Sequence, residues 1–225
     1  MIGIISDIHG NFSALKAVLD ALDAEGITEI ISLGDVAGYY CQINECCSEL
    51  RRRSISNLMG NHDWYLVTGN ECPRSNSANR CLEYQRKVID PQNLSWLAAS
   101  EKTRTIDGLR MAHAGFIDPM DEYLSPSLAY FSALEGTHFI SGHTHVQTYW
   151  SEANKVYCNP GSVGQPRDGN PKSAYAIWTG RDFLLKRVTY EISAVSKAMS
   201  LAGFTPYYYE NLAQGTQIGG KISKP

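Results

Sequence analysis

Five short runs in this 225-residue chain end in the same way, each breaking beside glycine into Asp, Asn or His. Ile2–Ile5 leads into Ser6-Asp7-Ile8-His9-Gly10-Asn11, and Ile30–Leu33 into Gly34-Asp35. Ile55–Met59 leads into Gly60-Asn61-His62-Asp63, Leu109–Ala112 into His113-Ala114-Gly115, and Phe139–Ser141 into Gly142-His143-Thr144-His145. Short apolar runs bounded by turn residues read as buried strands. In an open sheet, ligands gather beyond the carboxyl ends of the strands. Glycine at such an end lets the backbone turn sharply and keeps side chains from crowding the site. Any one of these ends could be an ordinary polar loop, because Asp and Asn are common after strands. All five together, holding five of the six histidines, point to one shared site.

The rest of the pattern supports a layered α/β fold. Strands are predicted over 2–5, 29–33 and 55–59, separated by helices over 12–24 and about 42–52. That alternation predicts parallel strands joined by crossover helices. Residues 64–100 are more polar, with helices expected over 76–89 and 93–99, and read as a cap or insertion over one face. Further strands are expected near 101–106, 109–113, 137–141, 146–150, 155–158, 173–179 and 182–188, the later ones antiparallel or mixed. Ser125-Pro126 reads as the N-cap and first-turn proline of a helix running to about 135, and 191–202 as a last helix. With no internal repeat, residues 1–225 read as a single domain, of which 216–225 form a flexible tail.

Charge and composition exclude several function classes. A net charge of -3 and a pI near 6.1 provide no basic field for stable nucleic-acid binding. The triplet Arg51-Arg52-Arg53 reads as a solvated helix end. No apolar run approaches the ~18 residues that would span a bilayer. The N-terminus opens directly into a strand without a signal-peptide pattern, so a cytoplasmic location is expected. The six cysteines (41, 46, 47, 72, 81, 158) form no CxxC pair and read as free thiols.

Imidazole nitrogens mixed with carboxylate and amide oxygens, without a thiolate, suit divalent Mn, Fe or Zn. Seven candidate ligands are too many for one tetrahedral ion. They suit two ions about 3.5–4 Å apart that share a ligand, and a carboxylate is the natural shared group.

Taken together, Asp7-x-His9, Gly34-Asp35, Gly60-Asn61-His62-Asp63, His113 and Gly142-His143-Thr144-His145 resemble the calcineurin-like metallophosphoesterase superfamily. The run Asn159-Pro160-Gly161-Ser162-Val163-Gly164-Gln165-Pro166-Arg167-Asp168 further resembles its small bacterial and archaeal phosphodiesterase-like branch. The resemblance implies a four-layer α/β/β/α sandwich with two mixed sheets. It also implies two divalent metal ions, manganese first, with Fe, Zn, Ni, Co or Mg as alternatives. By motif, Asp7, His9, Asp35 and His145 would hold one ion, and Asp35, Asn61, His113 and His143 the other. The implied reaction is in-line attack on phosphorus by a hydroxide bridging the metals. His62 would face the substrate as a proton donor or phosphate contact, although it can also be read as bracing the Asn61 loop.

One departure bears on the substrate. Ser/Thr protein phosphatases and symmetrical dinucleotide tetraphosphatases of the superfamily resemble each other in carrying an arginine soon after Gly-Asp. Here the segment is Gly34-Asp35-Val36-Ala37-Gly38-Tyr39-Tyr40, with Gly38 in place of the aspartate that orients the catalytic histidine and Tyr39 in place of the arginine. A dianionic monoester loses a bidentate partner by this change, and a singly charged diester loses less. The expectation is a phosphodiesterase of small or nucleotide-like diesters. A phosphomonoesterase or dinucleotide-polyphosphate hydrolase is the alternative, and a non-catalytic metal-binding interaction scaffold a further one. Arg167 reads either as a substitute phosphate contact or as a surface-turn arginine. Tyr39 and Tyr40 read either as base-stacking or as packing residues. Trp64 and Tyr65 could line the pocket wall, and His138 reads as a core or edge histidine. The expected partner is a small-molecule phosphate ester, with no membrane involved and the oligomeric state open.

Overall fold

The computed structural model describes residues 1–224. Its first half runs β1 (Ile2–Ile5), α1 (Phe12–Ala24), β2 (Glu29–Ser32), α2 (Ile43–Arg52), β3 (Ser56–Asn57), α3 (Asn61–Thr68), α4 (Asn76–Val88) and α5 (Pro91–Ala98). Its second half runs β4 (Thr103–Ile106), β5 (Leu109–Ala112), α6 (Leu128–Ser132), β6 (His138–Ile140), β7 (Thr148–Glu152), β8 (Lys155–Asn159), β9 (Ser173–Trp178), β10 (Phe183–Val188) and α7 (Ile192–Leu201). Two short 3-10 turns, Pro206–Tyr208 and Glu210–Gln214, follow.

The strands form two five-stranded sheets, β10-β9-β1-β2-β3 and β4-β5-β6-β8-β7. Both are mixed. In the first, β1, β2 and β3 are parallel and β9 is antiparallel to β1. In the second, β5, β6 and β8 are parallel, with β4 and β7 antiparallel at the edges.

Alternation along the strands builds the layers, because successive side chains point to opposite faces. Ile2 and Ile4 of β1 join Ile31, Leu33, Met111, Ile140 and Cys158 in a core between the sheets. Ile5 faces the other way, among Leu15, Val18, Leu19 and Leu22 of α1 and Val195 and Met199 of α7. A third cluster, Leu124, Phe131, Phe139 and Tyr157, covers the far face of the second sheet with α6. Three cores separate four layers, α/β/β/α. A strand buried on both faces needs apolar residues at every position, which is why β1 reads as a continuous run.

Several local expectations shift. β3 is only two residues long: Leu58 N–H still donates to Ser32 O at 2.8 Å, but Leu58 also bridges to Glu101, with Met59 N–H donating to Glu101 O at 2.6 Å. The chain then enters α3 at Asn61, where the motif reads as a loop. The helix expected from Ser125-Pro126 starts later, because Ser127 is the cap, its hydroxyl accepting from Tyr130 N–H. β7 begins at Thr148, two residues after the expected start.

The helical insertion carries a support for the loop after β2. Gln85 of α4 is fully buried; it donates to Tyr40 O at 2.6 Å and accepts from Gly38 N–H at 2.9 Å. The arginine triplet at the end of α2 is paired: Arg51 with Asn93, Arg52 with Glu49, and Arg53 with Glu49 and Asp23. His138 packs on Trp178 at 5.0 Å, within the sheets. The segment after Gly215, expected as a loose tail, folds back: Asn211 Nδ2 donates to Thr216 O at 2.8 Å and Ser223 N–H to Arg167 O at 2.7 Å. No helix among the described residues is long and apolar enough to cross a membrane.

Candidate binuclear metal site

The loops after β1, β2 and β6 share an unusual backbone. Asp7, His9, Asp35, His143 and His145 have φ of 55°, 53°, 56°, 67° and 61°. Left-handed backbone costs an L-residue roughly 1–2 kcal/mol, and Asp and His are among the few that tolerate it. The conformations are held by cross-loop bonds: Asp7 N–H to Gly34 O, His9 N–H to Asp35 O and Gly10 N–H to Val36 O, at 2.8–3.0 Å. Turning the backbone this way lets neighbouring motif residues aim at one point.

Two groups result, Asp7 with His9 and His145, and Asp35 with His113 and His143, each with ligand atoms within 4.8 Å of one another. All six are buried. Asp35 joins the groups, its Oδ2 lying 3.8 Å from His9 Nε2 and 3.4 Å from His113 Nε2. Asn61 Oδ1 lies 3.2 Å from His113 Nε2. The seven residues singled out from the motifs therefore line one centre.

The hydrogen bonds behind the imidazoles reveal its chemistry. His9 Nδ1 is bonded to Ala37 O at 2.7 Å, His113 Nδ1 to Leu33 O at 3.0 Å and His145 Nδ1 to Gln165 O at 2.7 Å. A carbonyl only accepts, so each Nδ1 carries its proton toward the carbonyl and each ring turns Nε2 inward; in the neutral rings of His9 and His145 that Nε2 is a lone pair. There, His9 and His145 Nε2 lie 3.0 Å apart, and His145 Nε2 lies 3.3 Å from Asp7 Oδ1. Lone pairs and carboxylate oxygens facing each other without a donor need cations between them. Asp7 Oδ1 and His143 Nε2 are also buried without a hydrogen-bond partner. The donor set therefore fits divalent metal ions.

Electrostatics agree. Burial raises the Asp7 and Asp35 carboxyls, but His145 beside Asp7 and His113 beside Asp35 hold both below the usual carboxylate range. Burial pushes His9 and His143 well down. It pushes His113 down too, but Asp35 outweighs it and brings His113 up to about 9.

Asp63, which the motifs do not mark as a ligand, holds the Asp35 loop. Its carboxylate accepts from the N–H groups of Asp35 and Ala37, both at 2.9 Å, and of Gly60 at 3.3 Å. Burial and the nearby Asp35 push Asp63 up to about 7, against the pull of those donors. His62, in the first turn of α3, donates its backbone N–H to Asp35 Oδ1 at 2.8 Å.

A cavity of about 300 Å³ opens on the centre, lined among others by Tyr39, His62, Arg74, Tyr123, Arg167 and Gln217. Arg167 is not a surface-turn arginine: it is 6% exposed, and its guanidinium lies 5.3 Å from the Tyr39 ring. Tyr39 is packed, its ring 4.9 Å from that of His9 and 5.1 Å from that of His62. Tyr40 is fully internal. Three further residues at the site, Arg74, Asp121 and Tyr123, are not foreseen from the sequence. Tyr123 packs 4.4 Å from the His143 ring, and Asp121 pairs with Arg74 while its Oδ1 lies 3.8 Å from His143 Nε2. None of the three ends a strand or neighbours a ligand motif, so no local pattern marks them.

Comparison with known proteins agrees with this geometry. The uncharacterized protein MJ0912 of Methanocaldococcus jannaschii is 34% identical over 215 residues, covering 85% of this chain and 88% of that protein. A metallophosphoesterase from Sphaerobacter thermophilus is similar in structure with a TM-score of 0.84 and 28% identity, covering 95% of this chain and 99% of that one. The hypothetical protein PH1004 from Pyrococcus horikoshii OT3 shares the fold with a TM-score of 0.81 at 17% identity, covering 96% of this chain and 99% of that one. The calcineurin-like phosphoesterase superfamily domain matches residues 1–182. The chain belongs to that superfamily and is a metal-dependent phosphoric ester hydrolase.

Proposed function

We propose that the chain is a phosphodiesterase of small, nucleotide-like diesters that works in the cytoplasm with two divalent ions, manganese first among them. The observation that carries this reading is a meeting of two cavities at Asn61. One, of about 300 Å³, holds Tyr39, His62 and Arg167. The other, of about 270 Å³, is lined by Trp64, Tyr65, Lys102, Met120 and Asp121 as well as Asn61. A diester carries a substituent on each side of phosphorus, and each has a place. The free, unpaired thiols among the described residues suit a reducing compartment.

Asp7, His9, Asp35 and His145 would hold one ion, and Asp35, Asn61, His113 and His143 the other. When bound, such ions lower the pKa of water and offset charge on the phosphoryl oxygens. Arg167 would grip a phosphoryl oxygen with its fixed fork of donors. Burial holds His62 down at about 4, so at neutral pH it is an uncharged imidazole. It would donate an N–H to a phosphoryl or ester oxygen instead of acting as a pre-charged acid. Gly38 places no carboxylate beside His62, whose Nδ1 is buried without a partner. One buried guanidinium suits the single charge of a diester better than the double charge of a monoester.

Metal-stripped protein reconstituted with manganese tests the reading. Hydrolysis of bis-p-nitrophenyl phosphate is expected to exceed that of p-nitrophenyl phosphate in kcat/KM, with about two ions bound per chain. Preference for the monoester would overturn it. His62→Ala is expected to lower kcat by about 10²-fold while both ions stay bound. Asn61→Ala or His143→Ala should instead cost one ion and most of the activity, which elemental analysis of the same samples would show.

A further inference from the structure

Gln165 touches both halves of the site. It is fully buried. Its backbone carbonyl accepts from Nδ1 of the candidate ligand His145 at 2.7 Å. Its side-chain Oε1 accepts from Arg167 Nε at 2.9 Å and Nη2 at 2.7 Å. Its Nε2 donates to the Tyr40 hydroxyl at 3.1 Å, and Asn211 Nδ2 donates to the same hydroxyl at 3.3 Å.

The chemistry of the acceptor is informative. A guanidinium buried as deeply as that of Arg167 is costly to desolvate, and a carboxylate would be its stabilising partner. Arg167 has none among the described residues; the adjacent Asp168 pairs with Arg187. A neutral amide fixes the edge of the fork without cancelling its charge. Gln165 takes Nε and Nη2 and leaves Nη1 to other partners, on a side chain that lines the cavity.

We propose that Gln165 is the positioning residue for Arg167, and that the buried relay Gln165–Tyr40–Asn211 ties the phosphate grip to the C-terminal segment, outside the matched domain. This rests on the reading of Arg167 as a phosphate contact. The segment itself reaches the site: Gln217 and Ile218 line the cavity, and Ser223 N–H holds Arg167 O. Residues beyond 182 thus set how tightly substrate binds, while the metal ligands all lie within the matched domain.

Steady-state kinetics on bis-p-nitrophenyl phosphate, with the manganese-loaded full chain, test this. Gln165→Glu puts a carboxylate where the amide was and neutralises the fork. KM should rise by about tenfold or more, the scale of a lost charge-assisted contact, with kcat and metal content little changed. Tyr40→Phe removes the hydroxyl that anchors the amide, and KM should rise about fivefold, the scale of one net hydrogen bond. Gln165→Glu combined with Arg167→Met should be no worse than Arg167→Met alone, because the two act through one contact. If Arg167→Met raises KM while Gln165→Glu and Tyr40→Phe leave it unchanged, the positioning role falls and the phosphate contact stands. If Arg167→Met leaves KM unchanged, the phosphate contact falls and the proposal with it. Loss of metal or of kcat at constant KM in Gln165→Glu, or additive effects in the double variant, would reduce Gln165 to a brace for the His145 loop. Should Gln165→Glu not fold, Tyr40→Phe against Arg167→Met decides between these outcomes.

Discussion

Asp35→Ala lowers phosphate-ester hydrolysis by roughly 10³-fold, the upper range for removing one preorganised electrostatic group, and metal content falls for both sites together. Asp35 faces both ligand groups at once. Its Oδ2 lies between His9 and His113, and its Oδ1 is fixed by the His62 N–H. Removal leaves each set of inward lone pairs with one carboxylate or none, which weakens attraction for either ion. A binding readout separates this from a general folding defect. Anything that binds only the folded state raises the melting temperature by mass action. Manganese should therefore raise the melting temperature of the wild-type chain and barely move that of Asp35→Ala. Two ions retained by the variant, or an undiminished rise on adding metal, would mean that Asp35 is not the shared ligand.

The sequence made the centre legible because strand geometry exports information along the chain. In parallel sheets of this kind the residues after each strand converge at one edge, so five Asp, Asn and His motifs at strand ends could be read together. The layers were legible for the same reason: runs such as Ile2–Ile5 and Ser173–Trp178 are buried at every position, as strands covered on both faces must be. Other features depend on contacts that leave no local trace. Asn61, His62 and Asp63 hide the start of α3, because three polar residues in its first turn are turned inward to the site and erase the amphipathic pattern. The left-handed backbone at Asp7, His9, Asp35, His143 and His145 is sustained by bonds between loops distant in sequence. Arg167 could be read as surface or site until Gln165, Tyr39 and Ser223 were seen around it. Arg74 and Asp121 meet across 47 residues, and neither belongs to a motif.

Installing the aspartate that Gly38 replaces is expected to destroy the site instead of making it a monoesterase. Gly38 has φ of +135°, a conformation costly for any L-residue with a side chain. A Cβ there would overlap His9 Nδ1, the atom that holds the ring through Ala37 O, and would come within 3.2 Å of His62 Nδ1. The Gly38 N–H is already bonded to Gln85, so the loop cannot easily withdraw. Gly38→Asp should lose about 100-fold or more in activity on diester and monoester alike, on the scale of a misplaced catalytic geometry. Metal binding at the Asp7, His9 and His145 group should weaken with it. Gly38→Ala is expected to do nearly as much harm, because the collision comes from Cβ and not from the carboxylate. Monoesterase activity gained by Gly38→Asp but not by Gly38→Ala would show that the loop can yield and that His62 lacks only its carboxylate. Parallel loss in both variants would mean that the glycine is required by how closely His9 and His62 pack around it.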